Sequence, residues 1–249
     1  MDKKYWDKIY ETYNVEIFDV LKSDRNDVIK SAIEKLASKK KVVGDIGCGI
    51  GKWLPLLSSN FKKVYAIDYM EPGLKFIEKN FKSLKNVECL LADMTIEKHK
   101  PGKYDVILCV NALMMEQSNK RTNFFYNLYA SLNKNGSLIL VIPSLESILF
   151  SEFICDKVNQ KKKNTSKKVI GTVSISENNY LKNGIVDLDN VPHKHFLKEE
   201  LISILSDLGL EVEKVEKVQY SWDTEIENPP KWLKAPYPWD WMVLAKKPF

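Results

Sequence analysis

The sequence predicts a doubly wound α/β domain on a parallel sheet, and three observations carry that prediction. Between residues 41 and 142, short apolar runs and stretches of helical periodicity alternate about every 20 residues, the rhythm of βαβ units. The runs are near-continuously apolar, as strands are when helices cover both faces of their sheet. A length of 249 residues, 44% of them apolar, supplies one sizeable core and fits a single domain over 1–249.

In chain order, Tyr5, Trp6, Ile9, Tyr13, Ile17, Val20 and Leu21 recur at helical spacing. Val28, Ile29, Ala32, Ile33 and Leu36 follow as a second amphipathic stretch, so residues 1–40 read as an N-terminal helical cap. The period then changes. Residues 41–46 form a short buried strand that runs into glycines, and a helix includes 55–57. A second strand, 64–67, is closed by Asp68. Pro72, after Glu71, suits the first turn of a helix reaching about residue 81. Residues 87–91 and 104–110 are the third and fourth strands, and 124–132 is helical. Asn135-Gly136 turns the chain into a fifth strand, 137–142, stopped by Pro143.

Beyond this point the alternation breaks. Residues 145–158 are helix-like and 161–168 are lysine-rich. Residues 169–176 and 184–188 read as an inserted hairpin about Asn183-Gly184. Regularity returns with a helix over 197–208, Gly209 as its stop, and strands over 211–220 and 241–245. The connection between those strands is rich in Trp and Pro. Segments 144–196 and 222–240 are expected to act as lids.

Composition excludes several classes. No apolar stretch follows the charges of residues 1–6, so neither a signal peptide nor an anchor is expected. Purely apolar runs such as 138–142 fall far short of the ~20 residues of a membrane span. A cytoplasmic protein with no membrane partner is the expectation. The formal net charge is +5, yet Arg25 and Arg121 are the only arginines. Lysines spread along the whole chain read as a solvated surface rather than a nucleic-acid footprint. Cys48, Cys89, Cys109 and Cys155 lie far apart without a Cys-x-x-Cys, and read as reduced thiols rather than a disulfide framework or a metal site. No exposed apolar helix asks for a partner, which fits a monomer.

The chemistry concentrates in Asp45-Ile46-Gly47-Cys48-Gly49-Ile50-Gly51. Glycines at alternate positions after a strand let backbone pass close to a ligand. The spacing is G-x-G-x-G, not the G-x-G-x-x-G of dinucleotide folds, and Gly51-Lys52 runs into Trp53, so it is not a P-loop. Asp68 stands 17 residues past the last glycine, at the carboxyl end of the next strand, where a carboxylate can accept both hydroxyls of a ribose. Asp93 ends the third strand, where it can accept from a purine amino group. Each acid also has a plain role open to it: Asp45 as a turn acid, Asp68 as a helix N-cap, Asp93 as a turn cap.

These residues, with Tyr65-Ala66-Ile67-Asp68, Leu91-Ala92-Asp93-Met94, Tyr104-Asp105-Val106-Ile107 and 132–138, resemble the ordered motifs of class I S-adenosylmethionine-dependent methyltransferases. The resemblance covers about 40–142 and resumes at 195–246. It implies a seven-stranded, mostly parallel sheet whose last strand is antiparallel, with 211–220 and 241–245 as the sixth and seventh strands. It implies S-adenosylmethionine as cofactor and S-adenosylhomocysteine as product. Gly47, Cys48, Gly49 and Gly51 would line the methionine portion, with Asp45 near its amino group. Asp68 would hold the ribose, Tyr69 or Met70 would pack on the adenine, and Asp93, beside Met94, would accept from the adenine amine. Cys109, Val110 and Asn111 would lie near the sulfonium.

The acceptor side departs from the family. Many small-molecule members carry a histidine after the fourth strand, whereas Asn111-Ala112-Leu113-Met114-Met115-Glu116 has none. His99 sits in a charged loop and reads as solvent-facing. His195 matches a histidine that often precedes the helix at 197 in the family, as a brace or a pocket residue. His195 and Asn111 are therefore the candidate catalytic residues. Asn228-Pro229-Pro230-Lys231 reads as a rigid turn. The expected activity is methyl transfer to a small-molecule acceptor enclosed by the cap and the two lids. An RNA or protein methyltransferase, docking through 157–168, and a non-catalytic cofactor-binding protein are the alternatives.

Overall fold

The computed structural model of the chain describes residues 19–96, 102–161, 183–188 and 191–249. Most of the first expected helix, His99 and the 169–176 arm of the expected hairpin lie outside them. The elements are α1 (Val20–Ser23), α2 (Val28–Leu36), β1 (Ser38–Ile46), α3 (Leu54–Asn60), β2 (Phe61–Asp68), α4 (Glu71–Asn80), β3 (Val87–Leu91), β4 (Tyr104–Val110), α5 (Ser118–Ser131), β5 (Leu132–Pro143), α6 (Leu145–Lys161), β6 (Ile185–Leu188), β7 (Val191–Lys194), α7 (Lys198–Asp207), β8 (Glu211–Gln219) and β9 (Trp239–Lys246).

Seven strands form one sheet in the order β3-β2-β1-β4-β5-β9-β8. β1 to β5 pair in parallel, and β9 inserts antiparallel between β5 and β8. The expected seven-stranded, doubly wound α/β sheet with an antiparallel last strand is what forms. Its central strands are buried on both faces: Val106 to Cys109 and Leu138 to Ile142 are at most 1% exposed. Alternation splits their side chains between two cores. Ile107, Cys109, Leu138, Leu140, Trp239, Trp241 and Val243 pack against α5 and α7 on one face. Val106, Leu108, Ile139, Val141, Met242 and Leu244 pack against α2, α3 and α4 on the other. At ~1.5–3 kcal/mol for each fully buried large aliphatic side chain, these strands hold the sheet without help from its polar ends.

Three expected bounds are corrected, and one pairing is added. The cap ends earlier than residue 40, because β1 already begins at Ser38. Strand 184–188 pairs with β7, Ile185 opposite Lys194 and Leu188 opposite Val191, while the 169–176 arm of the expected hairpin lies outside the described residues. β8 ends at Gln219, one residue short of Tyr220, and β9 begins at Trp239, inside the expected second lid. A third, smaller apolar cluster of Ile154, Val158, Trp222 and Ile226, with Phe150 and Tyr237 against it, joins α6 to the 222–239 connection. Among the described residues no helix is long and apolar enough to cross a membrane, and no group of His, Cys, Asp or Glu is arranged to hold a metal ion.

Candidate active site

The carboxyl ends of the parallel strands share one sheet edge, and the site is built there. Gly44, Asp45 and Ile46 lie in register with Tyr65, Ala66 and Ile67 on one side; Gly44 and Asp45 face Ile107 and Leu108 on the other. The chain then turns through Gly47, Gly49 and Gly51, all at positive φ (76°, 55° and 81°). A side chain at Gly47 would overlap the methyl of Ala112, so glycine is what lets the segment after β4 lie against the turn. The N–H groups of Gly47 and Cys48 donate to the Ile67 carbonyl at 2.8 and 3.1 Å, which anchors the turn to β2. Lys52, just past it, pairs with Asp19 at 3.0 Å and brings the N-terminal segment to the loop.

Asp45 is 2% exposed, and its Oδ2 accepts no hydrogen bond. Burial pushes its carboxyl up to about 8, and the nearby Asp68 adds to the effect. Asp68 closes β2 with both oxygens engaged: Oδ2 accepts from the Gly49 N–H and Oδ1 from the Met70 N–H, each at 2.9 Å. Burial raises this carboxyl too, while the backbone donors of Gly49, Met70 and Tyr69 pull the other way. Each oxygen keeps a further lone pair for a ligand hydroxyl. Asp68 is not the N-cap of α4. Met70 holds that position, itself buried, while Tyr69 is 38% exposed.

Asp93 bends the chain after β3: its Oδ1 accepts from the N–H and hydroxyl of Thr95 at 2.8 and 2.7 Å. Oδ2 has no donor among the described residues. Met94 is buried beside it, its carbonyl bonded by Asn127 Nδ2 at 2.9 Å. Cys48 and Cys109 are fully enclosed, and burial pushes both thiols up, so they stay protonated and serve as packing.

The segment expected to face an acceptor lies across β4. Val110 pairs with Val141, and Asn111 leaves the strand at φ 50° with its N–H on the Val141 carbonyl at 3.0 Å. Its Nδ2 donates to Asp240 Oδ2 at 2.9 Å, and its Oδ1 is buried without a partner. Asp240 Oδ2 also accepts the Tyr220 hydroxyl at 2.7 Å. His195 is 6% exposed and sits in a backbone clasp: the Lys194 N–H donates to Met114, the Phe196 N–H to Pro143, and the Leu145 N–H to Phe196. The clasp ties the end of β7 to the segment after β4 and to the end of β5. Burial pushes its imidazole down to about 4, which keeps it neutral. Beside it the buried Lys194 pairs with Glu200 at 2.7 Å.

Tyr220 and Asp240 were not among the sequence candidates, because both sit at the outer ends of expected strands. One signal was available: Asp240 interrupts Trp239 and Trp241, an acid where a buried strand should be apolar.

This layout is a shared one. Residues 43–136 match a family model described as a methyltransferase domain. Together with the sheet order, the match gives the chain a methyltransferase domain with the fold of the class I S-adenosylmethionine-dependent methyltransferases.

Within that class the relatives are distant. The chain is 28% identical over 142 residues to phosphoethanolamine N-methyltransferase 1 of Caenorhabditis elegans, an alignment covering 54% of this chain and 29% of that protein. The chain thus spans about three tenths of that curated relative's length. A methyltransferase from Anabaena variabilis shares the fold at TM-score 0.65 and 14% identity, over 98% of this chain and 93% of the other. The 1,6-didemethyltoxoflavin-N1-methyltransferase of Burkholderia thailandensis, solved with its substrate and S-adenosylhomocysteine, gives 0.63 and 14% over 99% and 87%. N-methyltransferase NodS of Bradyrhizobium japonicum, solved with S-adenosylhomocysteine, gives 0.62 and 12% over 99% and 98%.

Proposed function

We propose that the chain binds S-adenosylmethionine at the glycine turn and transfers its methyl group to a small-molecule acceptor. The residues present fit that cofactor. Asp45 offers a buried carboxylate oxygen with no partner, the complement of the methionine ammonium. Gly47, Cys48, Gly49 and Gly51 bring bare backbone to the methionine portion. Asp68 has lone pairs left for the ribose, Tyr69 and Met70 flank the adenine, and Asp93 and Met94 meet its amino edge. Cys109 and Val110 form the floor near the sulfonium. When bound, the cofactor supplies a methyl group on a sulfonium, an electrophile with a good leaving group. The chain's part is to align the acceptor and exclude water. Asn111 and His195 stand on the acceptor side, where His195, neutral and buried, can accept or donate one hydrogen bond.

The observation that carries the small-acceptor reading is the shared departure point of two connections. β5 and β8 both end at the edge of the glycine turn, and their continuations, α6 and 222–239, pack on each other through their own apolar cluster. Such a cover suits a small molecule better than a duplex. The N1-methyltransferase of Burkholderia thailandensis, solved with bound 1,6-didemethyltoxoflavin, agrees with it. The test is formation of S-adenosylhomocysteine with a panel of small amines, alcohols and thiols set against folded RNA and protein. Turnover with one small class supports the proposal; preference for RNA or protein over every small acceptor refutes it.

A further inference from the structure

We propose that the methyl acceptor is an amine, selected by the carboxylate of Asp240; this rests on the methyltransferase reading above. Asp240 lies at the start of β9, opposite Pro143 of β5 and Val218 of β8, on the edge where the acceptor must enter. Strand alternation turns its side chain away from Trp239 and Trp241, onto the face where the glycine turn packs. Both partners of its Oδ2, the Asn111 amide and the Tyr220 hydroxyl, are neutral donors. They hold the carboxylate in place without cancelling its charge. Among the described residues no Lys, Arg or His pairs with it, and Oδ1 accepts no hydrogen bond.

The surroundings add negative charge. Asp240, Asp24 and Glu225 all act on the Tyr220 hydroxyl, and with burial they push it up, so it remains a donor. Asp24 is occupied at the start of α2, taking the Ile29 N–H at 2.9 Å, and Glu225 accepts the Thr224 hydroxyl at 3.2 Å. Among the described residues Asp240 and Glu225 each keep one oxygen without a donor, and Asp240 is the one that is tied to Asn111 at the end of β4. Burial raises it against the pull of its two hydrogen bonds, so a cation beside it would favour the ionised form. One bond away, the buried Asn111 Oδ1 also lacks a donor.

An ammonium group meets both deficits. It carries the missing charge and three N–H donors, where an alcohol has one donor and no charge. Before transfer, one proton passes from the ammonium to Asp240. The freed nitrogen lone pair then bonds the methyl carbon as the carbon–sulfur bond breaks, and that electron pair stays on sulfur. The methylated amine leaves as a cation, and the proton on Asp240 returns to solvent.

Calorimetry on the protein loaded with S-adenosylhomocysteine tests this without relying on turnover. The probes are ethanolamine, benzylamine and 1,4-diaminobutane against ethylene glycol, benzyl alcohol and 1,4-butanediol. At least one amine should bind at least about tenfold tighter than its alcohol, and Asp240→Asn should lose about tenfold or more of that binding. The variant should bind S-adenosylhomocysteine as the wild type does, which reports an intact fold. No amine binding, equal binding of amines and alcohols, or an Asp240→Asn protein that binds the amine as well as wild type each overturns the inference. Should the variant fail to fold, the wild-type preference alone decides. Failure to bind S-adenosylhomocysteine at all overturns the methyltransferase reading instead.

Discussion

Asp45→Asn separates the cost of a buried acid from its use. In the folded chain the Asp45 carboxyl is raised to about 8, burial first and Asp68 second. In the unfolded chain it ionises near 4. A raised acid contributes its full stability below the unfolded value and loses it as pH rises through the folded one. At pH 7 roughly three units of that window have been crossed, an upper figure of ~4 kcal/mol at ~1.4 kcal/mol per unit. Replacing the acid by a neutral side chain of the same shape removes this loss. Denaturant titration should therefore show Asp45→Asn more stable than wild type by about 1–3 kcal/mol at pH 7, with the gain shrinking toward pH 4. The cofactor should respond the other way. Its ammonium needs the ionised form, so affinity should fall about tenfold or more in the variant. In the wild type, binding at pH 7 should release close to one proton, read by calorimetry in buffers of different ionisation enthalpy. A variant less stable than wild type at pH 7, or one with unchanged cofactor affinity, refutes the reasoning.

Three further outcomes follow from the same edge. Asp68→Ala should weaken cofactor binding by ~1.5–3 kcal/mol, because it removes the ribose acceptor and frees the Gly49 and Met70 N–H groups; a folded variant with unchanged affinity would reduce Asp68 to a loop clip. Gly47→Ala should cost ~1–3 kcal/mol of stability, from its positive φ and the overlap with Ala112, and Ala112→Gly should restore the part due to overlap; no rescue in the double variant means that backbone strain is the whole cost. For His195 the sign is opposite to that of Asp45. Its imidazole is lowered to about 4, so its contribution is present above pH 6.5 and is lost as pH falls, reaching ~3 kcal/mol near pH 4. His195→Asn should flatten acid denaturation between those values. If turnover also falls while cofactor affinity holds, the imidazole meets the acceptor; if stability alone changes, it is a brace.

What the sequence showed and hid follows from where side chains are solvated. β3 and β4 have the bounds their apolar runs predict. β1, β2 and β5 extend further at their amino ends, through Ser38-Lys39-Lys40, Phe61-Lys62-Lys63 and Leu132 to Gly136. There lysines and asparagines interrupt the apolar pattern beside the buried Phe61 and Leu132, and hide the pairing. α5 likewise starts at Ser118, two polar turns before Phe124. β7 escaped notice because Pro192 argues against a strand, yet a two-stranded ribbon is all edge and tolerates it. The glycine turn and Asp68 were legible from spacing, since the chain itself delivers them to one edge. Asp240 was not: its meeting with Asn111 spans 129 positions and depends on β9 inserting backwards between β5 and β8.

The small cluster of Ile154, Val158, Trp222 and Ile226 stands apart from both sheet cores. Phe150 links it to the first core through Trp239, so a substitution there should bear less on the strands than one inside either core. The turn proposed to hold the cofactor is, by contrast, locked to the segment after β4 through Gly47 and Ala112. Inheritance acts differently on the two regions. The cofactor half must persist nearly whole or fail, while the cover over the acceptor can drift residue by residue, each step screened only by what it admits. A lineage built on this chain would be expected to keep its methyl donor and change its acceptor, and a laboratory seeking a new acceptor would begin its library at α6 and residues 222–239.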